Sequence, residues 1–150
     1  MSTYLEVNDF SIAFTQVTGI DYHTYYGEFF INRNELAKLN DLKTSPQQVI
    51  TYGEELLNNR ASINPYGPFV LPHLVGAALE MGDVPLALDY FNKLEPMLFN
   101  PNDYLYYAAD FHEAGETKFA QQLVEQARIN AAKYYFDIEE FEREVDKKFE

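Results

Sequence analysis

The residue types that could carry catalysis stand apart from one another in this chain. The stretch HEAGE, which begins at His112, lacks the second histidine that completes the zinc-binding helix of metalloproteases. Asp110 and Glu113 are three residues apart, so a helix would place both carboxylates on one face, and acid–base catalysis would need their pKa values to differ. Such pairs arise by chance among 24 acidic residues. The pattern therefore does not indicate an enzyme.

Other reactive motifs are missing from the sequence. None of the seven glycines belongs to a phosphate-binding loop, no serine lies in a nucleophile elbow, and the chain has no cysteine. The remaining histidines, His23 and His73, are isolated. We therefore predict a protein with no enzymatic activity, no bound metal and no cofactor.

Charge limits the partners that the chain can bind. The sequence has 24 acidic and 11 basic residues, a formal net charge of −13, and no lysine or arginine before Arg33. Between Ala61 and Thr117 the single basic residue, Lys93, is opposed by eight acidic residues. Nucleic-acid phosphates would be repelled, because binding to them depends on basic side chains that displace counterions. The charge favours a basic protein partner, although a solvated acidic face would also keep an aromatic-rich chain in solution.

The apolar segments indicate neither a membrane span nor a secretory signal. The opening MSTYLEVNDF has no basic residue ahead of its apolar positions, unlike a signal peptide. The longest uncharged run, residues 61–79, is interrupted by Pro65, Pro68 and Pro72. We expect a cytoplasmic protein.

Helix start and stop signals dominate from the middle of the chain onward. Ser45 is followed by Pro46 and, three residues after the serine, by Gln48, which is a capping-box pattern. Gly82 suits a helix C-terminus, and Asp83 can cap the helix that follows. In the N-terminal third, Phe10, Phe14 and Val17 favour a short helix that ends at Gly19, although the stretch TYLEV could equally be an extended arm. The other predicted helices cover residues 45–59, 69–81, 84–99, 103–114, 117–135 and 138–149.

Two of these helix pairs are related by a single shift along the sequence. The shift places Gly82 on Gly115 and Asp83 on Glu116, and it also places a small residue, Ala87, on Ala120. Each unit is a helix, a tight turn and a second helix, and the small residue would let the second helix approach the first closely. The pattern predicts a repeat of helical hairpins.

The two units resemble the tetratricopeptide repeat family, which has apolar and small residues at fixed helix positions, a glycine before the second helix, and then an alanine. The first unit matches at Leu71, Leu74, Ala78, Gly82, Ala87 and Phe91. The second unit matches at Tyr104, Tyr107, Ala108, Phe111, Gly115 and Ala120. The closing proline is absent, and Val75 and Val124 depart from the family's residue types. The resemblance implies an all-α fold of antiparallel helical hairpins stacked as a short right-handed solenoid.

We interpret residues 1–150 as a single domain. Its predicted parts are an aromatic-rich N-terminal segment (1–32), a degenerate helix pair (33–60), two repeat units (68–99 and 102–135) and a C-terminal capping helix (137–149). The N-terminal part concentrates Tyr22, Tyr25, Tyr26, Phe29 and Phe30. These rings would either close the open end of the helix stack or form an exposed patch that docks a partner.

In the family, ligands lie against the first helix of each unit, and this resemblance implies a partner-binding groove. The matching positions are Phe69, Gly76, Leu79, Glu80, Asn102, Leu105, Ala109, His112 and Glu113. They combine small residues, apolar surface and carboxylates, which suits a basic or amphipathic segment of a partner protein. We therefore expect an adaptor or assembly subunit. The alternative is an acidic decoy that mimics nucleic acid and blocks a nucleic-acid-binding target.

Overall fold

The computed structural model describes residues 12–19, 33–58 and 67–149, and every regular element in these ranges is a helix. The helices are α1 (12–18), α2 (Arg33–Asp41), α3 (Pro46–Asn58), α4 (Gly67–Glu80), α5 (Val84–Leu94), α6 (Pro101–Glu113), α7 (Thr117–Lys133) and α8 (Ile138–Phe149). Short 3₁₀ helices follow α2 and α5, at Leu42–Thr44 and Glu95–Met97. The all-α prediction is thus confirmed for the described residues. The aromatic residues 22–30 lie outside these ranges.

The chain divides into two compact units, Met1–His73 and Leu74–Glu150, with the boundary inside α4. In the first unit α2 and α3 pack together. Its buried apolar side chains include Leu39, Val49 and Leu56. The N–H of Val49 donates to the Ser45 carbonyl over 3.1 Å, so α3 begins where the sequence places its start.

In the second unit the turns that end α4 and α6 have the same hydrogen bonds. The N–H of Gly82 donates to the Leu79 carbonyl (3.0 Å) and the next N–H reaches back five residues (2.9 Å), and Gly115 repeats both bonds at 3.0 and 2.9 Å. Both glycines have positive φ, 75° and 92°, which a residue without Cβ adopts at no steric cost. The sequence shift that places Gly82 on Gly115 therefore aligns two turns that have the same geometry.

The core of the second unit is a cluster of aromatic rings. Phe91 of α5 contacts Tyr107 and Phe111 of α6, with ring centroids 5.4 and 5.7 Å apart, and Phe119 of α7 at 5.7 Å. Ala87 and Ala120, the small residues of the repeat pattern, are both buried. The rings and small side chains together hold α5, α6 and α7 in one packed group.

Helix α8 covers α6 and α7 with an apolar stripe. Phe141 and Val145 are buried, while its other face is charged. Asp137 caps the helix by accepting the Glu140 N–H over 3.1 Å. The guanidinium of Arg128 on α7 donates to both carboxylate oxygens of Glu142, at 2.8 and 3.3 Å. Helix α8 thus covers residues 138–149, for which the sequence predicts a helix.

One predicted helix is too long. The sequence pattern predicts a helix over residues 84–99, but α5 ends at Leu94 and a single 3₁₀ turn follows it. Pro96 explains the stop, because proline has no N–H to donate and its ring clashes with the preceding helical turn. Asn100 then caps α6 by accepting the Asn102 N–H over 2.9 Å. In the described part of the chain, no helix has the length and apolar character needed to cross a membrane.

Candidate functional site

One face of helix α6 packs into the core of the second unit, and the opposite face is open. Its buried side chains include Tyr104, Leu105, Tyr107, Ala108 and Phe111. The open face carries Asn102, Asp103, Tyr106, Asp110 and Glu113, spaced as successive helical turns require, and these residues line two clefts. We call these five side chains the α6 face.

The C-terminal half of the α6 face forms the first cleft, with a volume of about 340 Å³. Its lining, which we call the acidic cleft, is Gly76, Leu79 and Glu80 from α4 together with Asp110, Glu113 and Ala114. Four residues predicted to contact a partner therefore come together here. Gly76 has nothing within 4 Å of the place where a side chain would begin, so the floor of the cleft at this point is open backbone.

The carboxylates of the acidic cleft have no neutralising partner in the cleft. Among the described residues, none of the carboxylates of Glu80, Asp110 and Glu113 forms an ion pair or a side-chain hydrogen bond. Burial raises the pKa of Asp110, the Glu113 charge raises it further, and the Lys148 ammonium lowers it. A cation placed in the cleft would relieve this repulsion.

The N-terminal half of the α6 face opens into a second cleft of about 560 Å³ between α6 and α8. Its lining, which we call the Tyr106 groove, is Asn102, Asp103, Tyr106, Phe136, Asp137, Glu140, Phe141, Glu144 and Lys148. Four carboxylates and one ammonium face this groove. Burial, with the charge of Asp103 as the next contribution, raises the pKa of the neighbouring Tyr107 hydroxyl to about 12.

Tyr106 presents its ring to solvent on a rigid base. Its side chain is 59% exposed. The ring meets that of Tyr107 at 89° with centroids 5.7 Å apart, and Tyr107 in turn packs on the buried Phe91. The Lys148 ammonium lies 6.0 Å from the centroid of the Tyr106 ring, at the outer limit of a cation–π contact. An aromatic platform therefore stands within an acidic groove.

Two of the residues predicted to contact a partner lie outside both clefts. Leu105 is fully buried (0% exposed), so it has no surface to offer a partner. His112 faces a different cleft, between α7 and α8, where its ring lies 5.5 Å from that of Phe149. On α6, the predicted residues Asn102 and Glu113 line the clefts, and Tyr106 and Asp110 line them beside the predicted Leu105 and Ala109.

The remaining predicted residues fall in three places. Asn102 lines the Tyr106 groove, and Ala109 is half-buried on α6. Phe69 is exposed and belongs to the first unit. Tyr106 and Asp110 were not among the predicted partner contacts, although Asp110 had been noted as an acid on the face of Glu113. The polar spacing from Asn102 through Tyr106 to Asp110 was the signal that could have found both.

Within the described part of the chain, no three His, Asp or Glu side chains are grouped so that they could hold a metal ion. The two clefts together present seven carboxylates, one ammonium and one exposed aromatic ring, an arrangement suited to binding cationic side chains. In comparisons with known proteins, no family model, no curated protein and no solved structure matches this chain.

Proposed function

We propose that this protein is a non-enzymatic interaction module, an adaptor or assembly subunit, that binds a basic or amphipathic segment of a partner protein along the α6 face. The observation that carries the proposal is the charge around this face. Seven carboxylates line the two clefts, and Lys148 is the only cation among the lining residues. Such a field attracts a basic segment and speeds its encounter with the surface.

The shape of the α6 face supports a peptide-like ligand. Gly76 and Ala114 permit close approach in the acidic cleft, while Leu79 and Tyr106 offer apolar surface. An amphipathic helix or extended segment could place apolar side chains on these two residues and basic ones beside the carboxylates. A mimic of nucleic acid would instead need rows of carboxylates spaced like phosphates, so the mixture of rings, small residues and acids favours an adaptor.

The repeat architecture supports the same proposal. The α4–α5 and α6–α7 turns have equivalent hydrogen bonds, and a buried alanine recurs at the equivalent positions Ala87 and Ala120. We propose a tetratricopeptide-repeat-like stack in which α4 and α6 are the first helices of successive units. The α6 face then corresponds to the surface that binds ligands in that family, with Tyr106 and Asp110 in place of Leu105 and Ala109 and with Glu113 retained.

The test is a charge reversal on the α6 face. Glu80→Lys with Glu113→Lys should abolish capture of the partner from cell extract, because two repulsive charges replace two attractive ones. Asp89→Lys with Asp146→Lys makes the same change in net charge at exposed positions outside both clefts and should retain capture. Equal capture by both double variants would exclude the α6 face as the binding site.

A further inference from the structure

The Tyr106 groove contains a cation of the protein's own, Lys148. The last turn of α8 carries two lysines side by side, and they differ in their surroundings. Lys147 makes an ion pair with Glu144 at 3.5 Å. Lys148 has no ion-pair partner among the described residues, although acids line the groove, and its ammonium lies 6.0 Å from the centroid of the Tyr106 ring.

We infer that Tyr106 is the platform for an arginine side chain of the partner and that Lys148 occupies this place in the free protein. The inference rests on the proposed function, because it concerns the same surface and the same basic partner. It adds a specific contact, the ring of Tyr106, and an internal competitor for that contact.

Charge complementarity and ring geometry identify arginine as the incoming group. A guanidinium is planar, stacks on an aromatic face and donates to nearby carboxylates at the same time. Tyr106 is flanked in the groove by Asp103, Glu140 and Glu144. A lysine ammonium is a compact point charge that cannot stack and is more strongly hydrated. An arginine should therefore displace Lys148 rather than be excluded by it.

The anchoring of the two groups supports this exchange. Tyr106 is fixed from below, because its ring meets Tyr107, which is buried against Phe91. The end of α8 is held by the contact between Phe149 and His112. Lys148 itself is an exposed side chain. A long flexible lysine on a fixed helix can leave the ring by rotating its own bonds, without movement of the backbone.

The ammonium of Lys148 also reaches the acidic cleft electrostatically. Its charge acts on Asp110, where it opposes the effects of burial and of Glu113. Removal of Lys148 should therefore strengthen the negative field of both clefts. A basic partner would then bind a surface that no longer holds a competing cation.

The test compares Lys148→Gln with Lys147→Gln. Both variants remove one positive charge from the same helical turn. Lys147→Gln releases the Glu144 carboxylate from its ion pair, whereas Lys148→Gln clears the ring of Tyr106, so the dependence on Tyr106 separates the two effects. The probes are an alanine-based helical peptide with two arginines one turn apart and the same peptide with citrulline at both positions. Dissociation constants are measured by NMR titration of the full-length isotope-labelled protein.

We expect Lys148→Gln to bind the arginine peptide about two- to fivefold more tightly than the wild type, because an exposed cation–π contact is worth about 0.5–1 kcal/mol. Lys147→Gln should give a smaller gain, and Tyr106→Leu should remove the difference between the two lysine variants. Without any peptide, the ε-methylene protons of Lys148 should show an upfield ring-current shift that Tyr106→Leu abolishes.

Each outcome bears on one of the two proposals. Equal gains in Lys148→Gln and Lys147→Gln, weaker binding by Lys148→Gln, or the absence of the ring-current shift would overturn the inference and leave the proposed function standing. Wild-type protein that binds neither peptide, or binds both equally, while the ring-current shift is present would overturn the proposed function, and the inference with it.

Discussion

The orientation of α6, with Leu105 in the core and Tyr106 at the surface, can be tested by comparing Leu105→Ala and Tyr106→Ala. Leu105 is 0% exposed, so truncation removes buried apolar atoms and leaves a cavity that the surrounding helices fill only in part. Leucine-to-alanine changes at such sites cost about 2–5 kcal/mol, and full burial places this one at about 3 kcal/mol or more. For a protein of this length, each kcal/mol of lost stability lowers the melting temperature by about 2–4 °C. The melting temperature of Leu105→Ala should therefore fall by about 6–12 °C.

Tyr106→Ala should behave oppositely. Its ring is mostly in solvent, and its described ring contact is the edge-on one with Tyr107. The loss of stability should be about 1 kcal/mol or less, which corresponds to the usual value of an aromatic pair. Binding of a basic partner should nevertheless weaken, because the exposed platform of the Tyr106 groove is gone.

The assay is urea unfolding followed by far-ultraviolet circular dichroism, with partner binding measured on the same preparations. The slope of free energy against urea must be unchanged in both variants for the comparison to report stability alone. A loss below about 1 kcal/mol in Leu105→Ala, or equal losses in the two variants, would refute the assignment of Leu105 to the core and Tyr106 to the surface.

Three further substitutions test other parts of the second unit. Ala87→Leu should destabilise by about 1–3 kcal/mol in urea unfolding because it overpacks a buried site, whereas Ala132→Leu on the exposed side of α7 should change stability by less than about 0.5 kcal/mol. Tyr135 has φ 61° with a 95% exposed side chain, so Tyr135→Gly should stabilise by about 1 kcal/mol, and a loss of stability would show that its ring has a packing role. Asp110 has a pKa raised above its ordinary value of 3.8, so the folded state binds more protons than the unfolded state and stability falls as pH rises through the window that starts near 3.8. Asp110→Asn should therefore be more stable than the wild type at neutral pH and lose that advantage in acid, and a pH-independent difference would contradict the cause given for the shift.

The helices could be predicted from local signals in the sequence because their ends depend on a few neighbouring residues. Gly82 and Gly115 mark the ends of α4 and α6, because glycine readily takes the left-handed conformation found there. Pro46 marks the start of α3. The end of α5 was predicted wrongly because the apolar pattern continues through Pro96. The sequence predicts that α7 extends to residue 135, but the helix ends at Lys133. No glycine marks this end, because Tyr135 takes the left-handed conformation that a glycine normally supplies.

The candidate site was predictable only in part, because its residues depend on how α6 is rotated. The acidic cleft was found through Glu80 and Glu113, whose charge is evident in the sequence. Leu105 and His112 were assigned by alignment to a family's positions, and a difference of one residue turns a helix by about 100°. Lys148 could not have been found this way, since its contact with Tyr106 joins helices that are distant in the sequence.

The apolar residues of α6 that pack into the core also determine which of its residues form the α6 face. Tyr104, Leu105, Ala108 and Phe111 must face inward to bury their apolar surface, and this leaves the opposite face to solvent. A rotation by one residue would expose Leu105 and bury the Asp110 charge, and burial of an unpaired charge is strongly unfavourable. The half-burial of Asp110 already raises its pKa. The orientation of the α6 face is therefore held by the energy of the core rather than by any contact within the site, and substitutions on that face can change binding without unfolding the helix.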